Sequence, residues 1–288
     1  MSNLEKKVES EKGRNRIVSL ILSFLLSVFL LITFATLIIH GFILSGNSVM
    51  MSLNAVDYHE DVYEQLRNSI GDTLLPTGLP YSIIDDAFTP EMVYTDLNEY
   101  VSSMFANDLP DLQRDEIAER LNYNIDHHLL EIGLSRAEVG DEALAEVVAA
   151  IIDNYNDYVS SPFISYIARV SNLFENHLRM LMAIGLAATL ITTAIIYLSS
   201  RRFKYFAYRY FAFSFGTTAL MLIVAPLVLR IWGGYRRLGI LPEFVYNFVI
   251  AHIDRTISSF LLVGTIFIAL YLIFIIISAR SRRKLLQA

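Results

Sequence analysis

The chain has 288 residues, about two domains' worth, with 54% hydrophobic and 18% charged residues, a mean hydropathy of +0.46 and a net charge of −6. That balance argues against an ordinary soluble globule. With no cysteine in the sequence, disulfides, thiolate metal sites, iron–sulfur clusters and cysteine nucleophiles are excluded.

Four apolar runs contain no Asp, Glu, Lys or Arg: residues 17–44, 180–200, 211–229 and 257–279. A helix rising about 1.5 Å per residue needs roughly 20 residues to cross a hydrocarbon core of about 30 Å, with its backbone groups satisfied internally. Each run is therefore expected to be a transmembrane helix. The first follows Lys6, Lys7, Lys12, Arg14 and Arg16 in the basic tail 1–16, but its 28 residues exceed the about 7–15 of a signal-peptide core, so an uncleaved anchor is expected.

Basic residues set the expected orientation. The tail 1–16, the loop 201–210 (Arg201, Arg202, Lys204, Arg209) and the tail 280–288 (Arg280, Arg282, Arg283, Lys284) are expected to be cytoplasmic, with both termini inside a plasma membrane. Residues 45–179 hold 24 acids against six arginines and no lysine, a net −18, and are expected to form an acidic extracytoplasmic domain. The loop 230–256 is expected outside, although Arg230, Arg236, Arg237 and Arg255 pull the other way. Aromatic rings crowd residues 203–215 at the start of the third span, and Trp232 and Tyr235 mark its far end. Amphipathic rings favour the headgroup level, so Tyr205, Tyr208, Tyr210, Trp232 and Tyr235, with Arg236 and Arg237 beside lipid phosphates, are the candidate lipid-interface residues.

The acidic segment reads as helices in chain order. Val49, Leu53, Val56, Tyr63, Leu66 and Ile70 recur at helical spacing, with Gly71 as a stop signal, and Pro76, Gly78 and Pro80 form a loop. Thr89-Pro90-Glu91 is a helix start, with Val93, Leu97, Tyr100, Val101 and Met104 on its apolar face. Ile117, Leu121, Ile125 and Leu129 mark a third helix ending near Gly133. The capping-box pattern of Ser135 and Glu138 opens a fourth over Leu144, Val147, Val148, Ile151, Ile152 and Tyr155. Ser161-Pro162 opens a last helix, with Phe163, Ile167, Val170 and Phe174 as its stripe, that runs into the second span. Strand signals and repeats are not evident, so the fold class is all-α: a four-helix transmembrane bundle with an α-helical domain inserted between spans 1 and 2.

Candidate chemistry is sparse. His127 and His128 point about 100° apart on a helix and cannot chelate from one face. Asp57, Asp61 and Glu64 share a face and could hold a hard cation, but a solvated acidic face is the simpler reading. Asp153-Asn154-Tyr155-Asn156-Asp157 has Tyr158 where a calcium loop needs glycine. Phosphate-loop, nucleophile-elbow and dinucleotide motifs are missing, and the spans carry no charged residue of the kind that marks proton relays. No catalytic residue, cofactor, metal or nucleic-acid partner is expected.

The segments Thr77-Gly78-Leu79-Pro80, Thr89-Pro90-Glu91-Met92-Val93, Asp96-Leu97-Asn98-Glu99-Tyr100, Leu121-Asn122 and Asn124-Ile125-Asp126 carry a resemblance to uncharacterised four-span membrane proteins of Gram-positive Firmicutes with a helical extracytoplasmic insert after the first span. The resemblance implies a bacterial plasma membrane and no assigned activity. The expected function is a non-enzymatic multi-pass protein, embedded in the lipid bilayer, whose acidic outer domain binds a membrane or envelope protein partner or ligand as an accessory or sensor. The alternative is a subunit of a channel, transporter or lipid-handling assembly. Thr189, Thr192, Thr193, Ser214, Thr217 and Thr218 are its conceivable lining, and carboxylates such as Asp85 and Asp86 would serve a weaker enzymatic reading.

Overall fold

The computed structural model describes residues 3–200 and 204–287, and the side chains of residues 17–200 and 205–283. The basic side chains expected at the cytoplasmic ends before Ile17, with Arg201, Arg202, Lys204 and Lys284, lie outside the described side chains, as does Phe203. Among the described residues there is no strand. The α-helices are α1 (Asn3–Ile38), α2 (Gly46–Asn54), α3 (Tyr58–Leu74), α4 (Pro90–Ala106), α5 (Arg114–Glu131), α6 (Arg136–Val139), α7 (Asp141–Val159), α8 (Pro162–Ser199), α9 (Lys204–Trp232) and α10 (Glu243–Gln287). A single π-helical turn, Ile39–Ile43, follows α1. Four helical stretches are long and apolar enough to cross a membrane: Ile17–Ile43, Pro162–Ser199, Tyr205–Arg237 and Glu243–Arg283.

The chain divides into two compact units. One, the span unit, comprises residues 1–43, 174–237 and 253–288; the other, the insert, comprises residues 44–173 and 238–252.

Within the span unit, α1 and α9 meet along a seam of hydroxyls. Ser23 Oγ donates to the Tyr210 carbonyl at 2.9 Å and lies 3.0 Å from Ser214 Oγ, which is itself 2.8 Å from the Ser23 carbonyl. One turn on, Thr218 Oγ1 is 3.2 Å from the Ser27 carbonyl. Where apolar side chains gain little by leaving lipid, such bonds and close backbone approach hold helices together. Close approach recurs between α9 and α10: a Cβ on Gly264 would stand 2.4 Å from Ile223. Phenylalanines fill the rest, with Phe34 edge-on to Phe267 at 4.8 Å and Phe274 packed on Phe211 and Phe215 at 5.8 and 5.2 Å. Pro226 sits inside α9 without ending it.

The insert is a helical core in its own right. Its α3 buries Tyr58, Val62, Leu66, Ile70 and Leu74, α5 buries Ile117, Leu121, Ile125 and Leu129, and α7 buries Leu144, Val148, Ile151, Tyr155 and Val159, stripes at four-residue spacing with one step of three in α7. The Thr89 hydroxyl accepts from the Met92 amide at 3.3 Å and caps α4.

Five expectations change at this level, the last of them at Gly71. The helix expected from Ser48 through Ile70 is two, because the chain turns at Asp57, which adopts a left-handed φ of 49°. A short polar side chain tolerates that region better than a branched one. Beyond the turn the buried register moves to Tyr58 and Val62. The helix expected to open at Ser135 is also two: Glu138 accepts from the Ser135 amide and hydroxyl, each at 2.8 Å, but the box caps only the single turn α6, and Gly140 at φ 106° breaks the chain before α7. Over the first three turns of α8, Ile164, Ala168 and Ser171 are the buried positions, while Phe163 and Phe174 are exposed. The expected loop 230–256 contains the first turns of α10, and its Phe244 and Phe248 pack edge-on to Tyr58 at 5.1 and 5.8 Å.

Gly71 does not stop α3. The helix continues through it to Leu74, and a Cβ there would stand 2.5 Å from the Tyr81 ring, whose hydroxyl donates to the Arg67 carbonyl at 3.0 Å. Close approach, not termination, accounts for the glycine. Gly71→Ala is expected to cost about 1 kcal/mol, the low end for overpacking because the ring is near the surface. In a thermal-unfolding cycle with Tyr81→Ala, the double variant should lose less than the sum of the two; strict additivity would show that the two residues do not press on each other.

Candidate functional site

The interface residues expected from sequence take different places. Trp232 is 71% exposed and Tyr205 and Tyr208 are half-buried, Tyr208 lying 6.3 Å from Phe274. Tyr205 also anchors α10, its carbonyl accepting from Ser278 at 3.1 Å. Tyr210, by contrast, is 7% exposed, with its carbonyl in the α1–α9 seam. At the other end of α9, the Tyr235 hydroxyl donates to Asp254 Oδ1 at 2.5 Å and Arg236 Nη2 to Asp254 Oδ2 at 3.0 Å, with the guanidinium 5.6 Å from the Tyr235 ring. The Arg236 charge thus answers a carboxylate of α10. Arg237 is exposed.

The hydroxyls considered as a path lining do not converge. Ser214 and Thr218 are buried in the seam, Thr217 bonds back to the Phe213 carbonyl of its own helix, and Thr192 is buried on α8. Thr189 Oγ1 is buried without a hydrogen-bond partner among the described residues.

The insert holds two buried polar contacts. Asp96 on α4 is 1% exposed; Tyr155 of α7 donates to its Oδ2 at 2.6 Å, and the Gln113 amide ahead of α5 reaches both oxygens at 3.3 Å. One carboxylate therefore ties three segments together. Burial holds the Asp96 carboxyl above the usual carboxylate range against these donors, and burial with the facing carboxylate pushes the Tyr155 hydroxyl up. In the second contact, Ser52 Oγ lies 3.0 Å from His252 Nδ1 and 2.9 Å from the Ser48 carbonyl. A serine–histidine pair is the beginning of a nucleophile, but this hydroxyl is 1% exposed, out of reach of a substrate carbonyl. The pair fastens α10 to α2. Beside it, burial pushes the Tyr58 hydroxyl up to about 12.

On the insert's surface an open cleft of about 520 Å³ is lined by Asp86, Glu116, Glu119, Arg120, Tyr123 and Asn124. Arg120 forms one wall, donating to the Asp86 carbonyl at 3.2 Å and to Glu116 at 2.7 Å, and Asn124 donates to the Ile83 carbonyl at 2.8 Å. No cationic side chain among the described residues pairs with the carboxylates of Asp86 and Glu119. Asp85 turns away to Arg67 at 2.6 Å. The His59 ring packs edge-on to Tyr94 at 5.3 Å, His127 lies 3.6 Å from Glu131, and among the described residues no three His, Cys, Asp or Glu gather to hold a metal ion.

Sequence reasoning placed Asp96 within a motif but missed its role, since the partners Gln113 and Tyr155 are distant in the chain. The His252 contact had a signal: Phe244, Phe248 and His252 repeat at four-residue spacing after Pro242. Compared with known proteins, the chain matches no family model, no curated protein and no solved structure.

A group whose folded pKa is raised contributes stability that is fully present below its unfolded pKa and is lost as pH rises through the folded value. Melting of the full chain from pH about 4, near the ordinary carboxylate value, up to about 7 should therefore show wild type losing ground to Asp96→Asn as pH rises. Identical pH dependence of the two would refute a raised Asp96. Tyr155→Phe, which strips a donor from a buried carboxylate, is expected to cost about 1–3 kcal/mol.

Proposed function

We propose that this chain is a non-enzymatic, multi-pass protein of a bacterial plasma membrane whose acidic insert lies on the extracytoplasmic side and binds a basic partner in the cell envelope, as an accessory or sensor. The observation that carries this reading is the cleft: a helical unit with a core of its own presents there Asp86 and Glu119, whose carboxylates pair with no cation among the described residues, while the one arginine of the cleft, Arg120, pairs with Glu116. Opposite charge steers encounter and selects partners more than it adds affinity. The orientation is supported by the basic tails and by the placement of all five lysines away from the insert, and the bacterial setting by the resemblance to four-span proteins of Firmicutes. The non-enzymatic reading rests on a sequence without a reaction motif. A channel within one chain is disfavoured because Ser214 and Thr218 are engaged in a helix–helix seam.

Two measurements test this. Because the chain has no cysteine, single substitutions report topology cleanly: in intact cells, a membrane-impermeant maleimide should label Tyr123→Cys and leave Lys284→Cys unlabelled until the membrane is broken. The reverse pattern would overturn the orientation. Native mass spectrometry of the full chain, extracted gently from its own membrane, should show a stoichiometric second protein that is lost with the pair Asp86→Lys and Glu119→Lys at unchanged melting temperature. Retention of that protein by the reversed cleft would remove the cleft from the account.

A further inference from the structure

Between α9 and α10, in the span unit, runs a cleft of about 400 Å³ with Phe213, Gly216, Thr217 and Leu220 on one side and Ile268 and Tyr271 on the other. Its walls are nearly all carbon, and Gly216 keeps the floor open: a Cβ there would stand 3.0 Å from the Tyr271 ring. One turn before Phe213, on the same face of α9, is Arg209. Its guanidinium lies over the Phe213 ring, 5.4 Å from the centroid, and its side chain is exposed.

No carboxylate among the described residues pairs with Arg209. The span unit's acids whose side chains are described, Glu175 and Asp254, are paired with Arg179 and with Arg236, and Asp254, on α10, lies at the far end of α9 from Arg209. Around Arg209, Ser278 bonds to the Tyr205 carbonyl and brings that end of α10, with Arg280 and Arg282, alongside. This end of the two helices is therefore purely basic, and an exposed arginine over a ring at the mouth of an apolar groove lacks only an anion.

We propose that this groove binds one anionic phospholipid, with its phosphate on the Arg209 guanidinium and an acyl chain along Phe213, Gly216 and Leu220. Distance selects a lipid over a free phosphate. From Arg209 to Leu220 a helix rises about 16 Å, close to the half-thickness, about 15 Å, of a hydrocarbon core. A chain lying in the groove from a headgroup at Arg209 thus reaches the middle of the bilayer and stops. The guanidinium offers a planar fork to phosphate oxygens, and the bare Gly216 backbone admits a methylene chain where any larger residue would meet Tyr271. The inference requires only that α9 and α10 cross a bilayer; it is independent of the partner proposed for the insert.

The test is native mass spectrometry of the full chain released from nanodiscs that contain equal phosphatidylglycerol and phosphatidylcholine of matched acyl chains. Wild type should retain one phosphatidylglycerol in preference to phosphatidylcholine by about tenfold, the scale of one charge-assisted contact. Arg209→Gln should abolish that preference, whereas Arg282→Gln, at the same end but outside the groove, should keep it. Thr217→Phe, which fills the groove, should reduce retention of both lipids. Equal retention of the two lipids by wild type would overturn the proposal. So would an unchanged preference in Arg209→Gln, since that exposed position does not bear on folding, or an equal loss in Arg282→Gln, which would mark a diffuse basic surface. A homodimer free of lipid and dissociated by Thr217→Phe would assign the groove to a second copy instead.

Discussion

In hydrocarbon, an apolar side chain gains almost nothing by exchanging lipid for a neighbouring helix, so helices associate through close backbone approach and hydrogen bonds. That constraint explains the span unit. Ser23 and Ser27 on α1, one turn apart, face Ser214 and Thr218 on α9, also one turn apart; the hydroxyls of Ser23, Ser214 and Thr218 reach carbonyls of the opposite helix, while that of Ser27 bonds back to the Phe24 carbonyl of its own. Ser214 and Thr218 also have acceptors one turn back on α9, so what these contacts add is close approach of the two backbones. Phenylalanines then fill the space beyond the seam, with Phe267 and Phe274 of α10 meeting Phe34, Phe211 and Phe215. The large apolar residues left on the outside of α8 and α10, among them Ile184, Leu190, Leu262 and Leu272, follow from the same rule: they are at home in the solvent they face.

The unit of residues 44–173 and 238–252 has the burial pattern of a core assembled in water. There, removing apolar area from water is worth about 25 cal/mol per Å², and stripes such as Ile117, Leu121, Ile125 and Leu129 are buried for that reason. Burial of that kind is non-directional, and Asp96 supplies direction by accepting from Tyr155 and from the Gln113 amide. Its desolvation is the counterpart cost, visible as a carboxyl held above its ordinary range. Charge that does not serve the core is displayed outside, and in the cleft three carboxylates, those of Asp86, Glu116 and Glu119, stand against the single Arg120.

Much of the architecture was legible beforehand. Long runs without charge and stripes at three- and four-residue spacing depend on local periodicity alone, and Thr89-Pro90-Glu91 and the Ser135–Glu138 box form their caps as local chemistry requires. Misreadings arose where a local signal had a distant cause. Gly71 has the look of a stop, yet it makes room for Tyr81, and the stretch ahead of Ile257 has the look of a loop, yet it supplies Phe244 and Phe248 to Tyr58. The serines of α1 drew no attention because a hydroxyl among apolar residues is unremarkable until its acceptor on another helix is known.

For the candidate sites the division is the same. Residue types and spacing alone determined that the chain is all-helical, that four segments suit a bilayer, and that negative charge concentrates between the first two of them, because helix period, hydropathy and charge are properties of neighbours in the chain. Only the tertiary structure decided that Tyr210 turns inward, that Arg236 answers Asp254, and that Arg209 lies over Phe213 at the end of a groove. Those outcomes depend on which carbonyl, carboxylate or ring a second helix brings within a few ångströms, and no local pattern carries that distance.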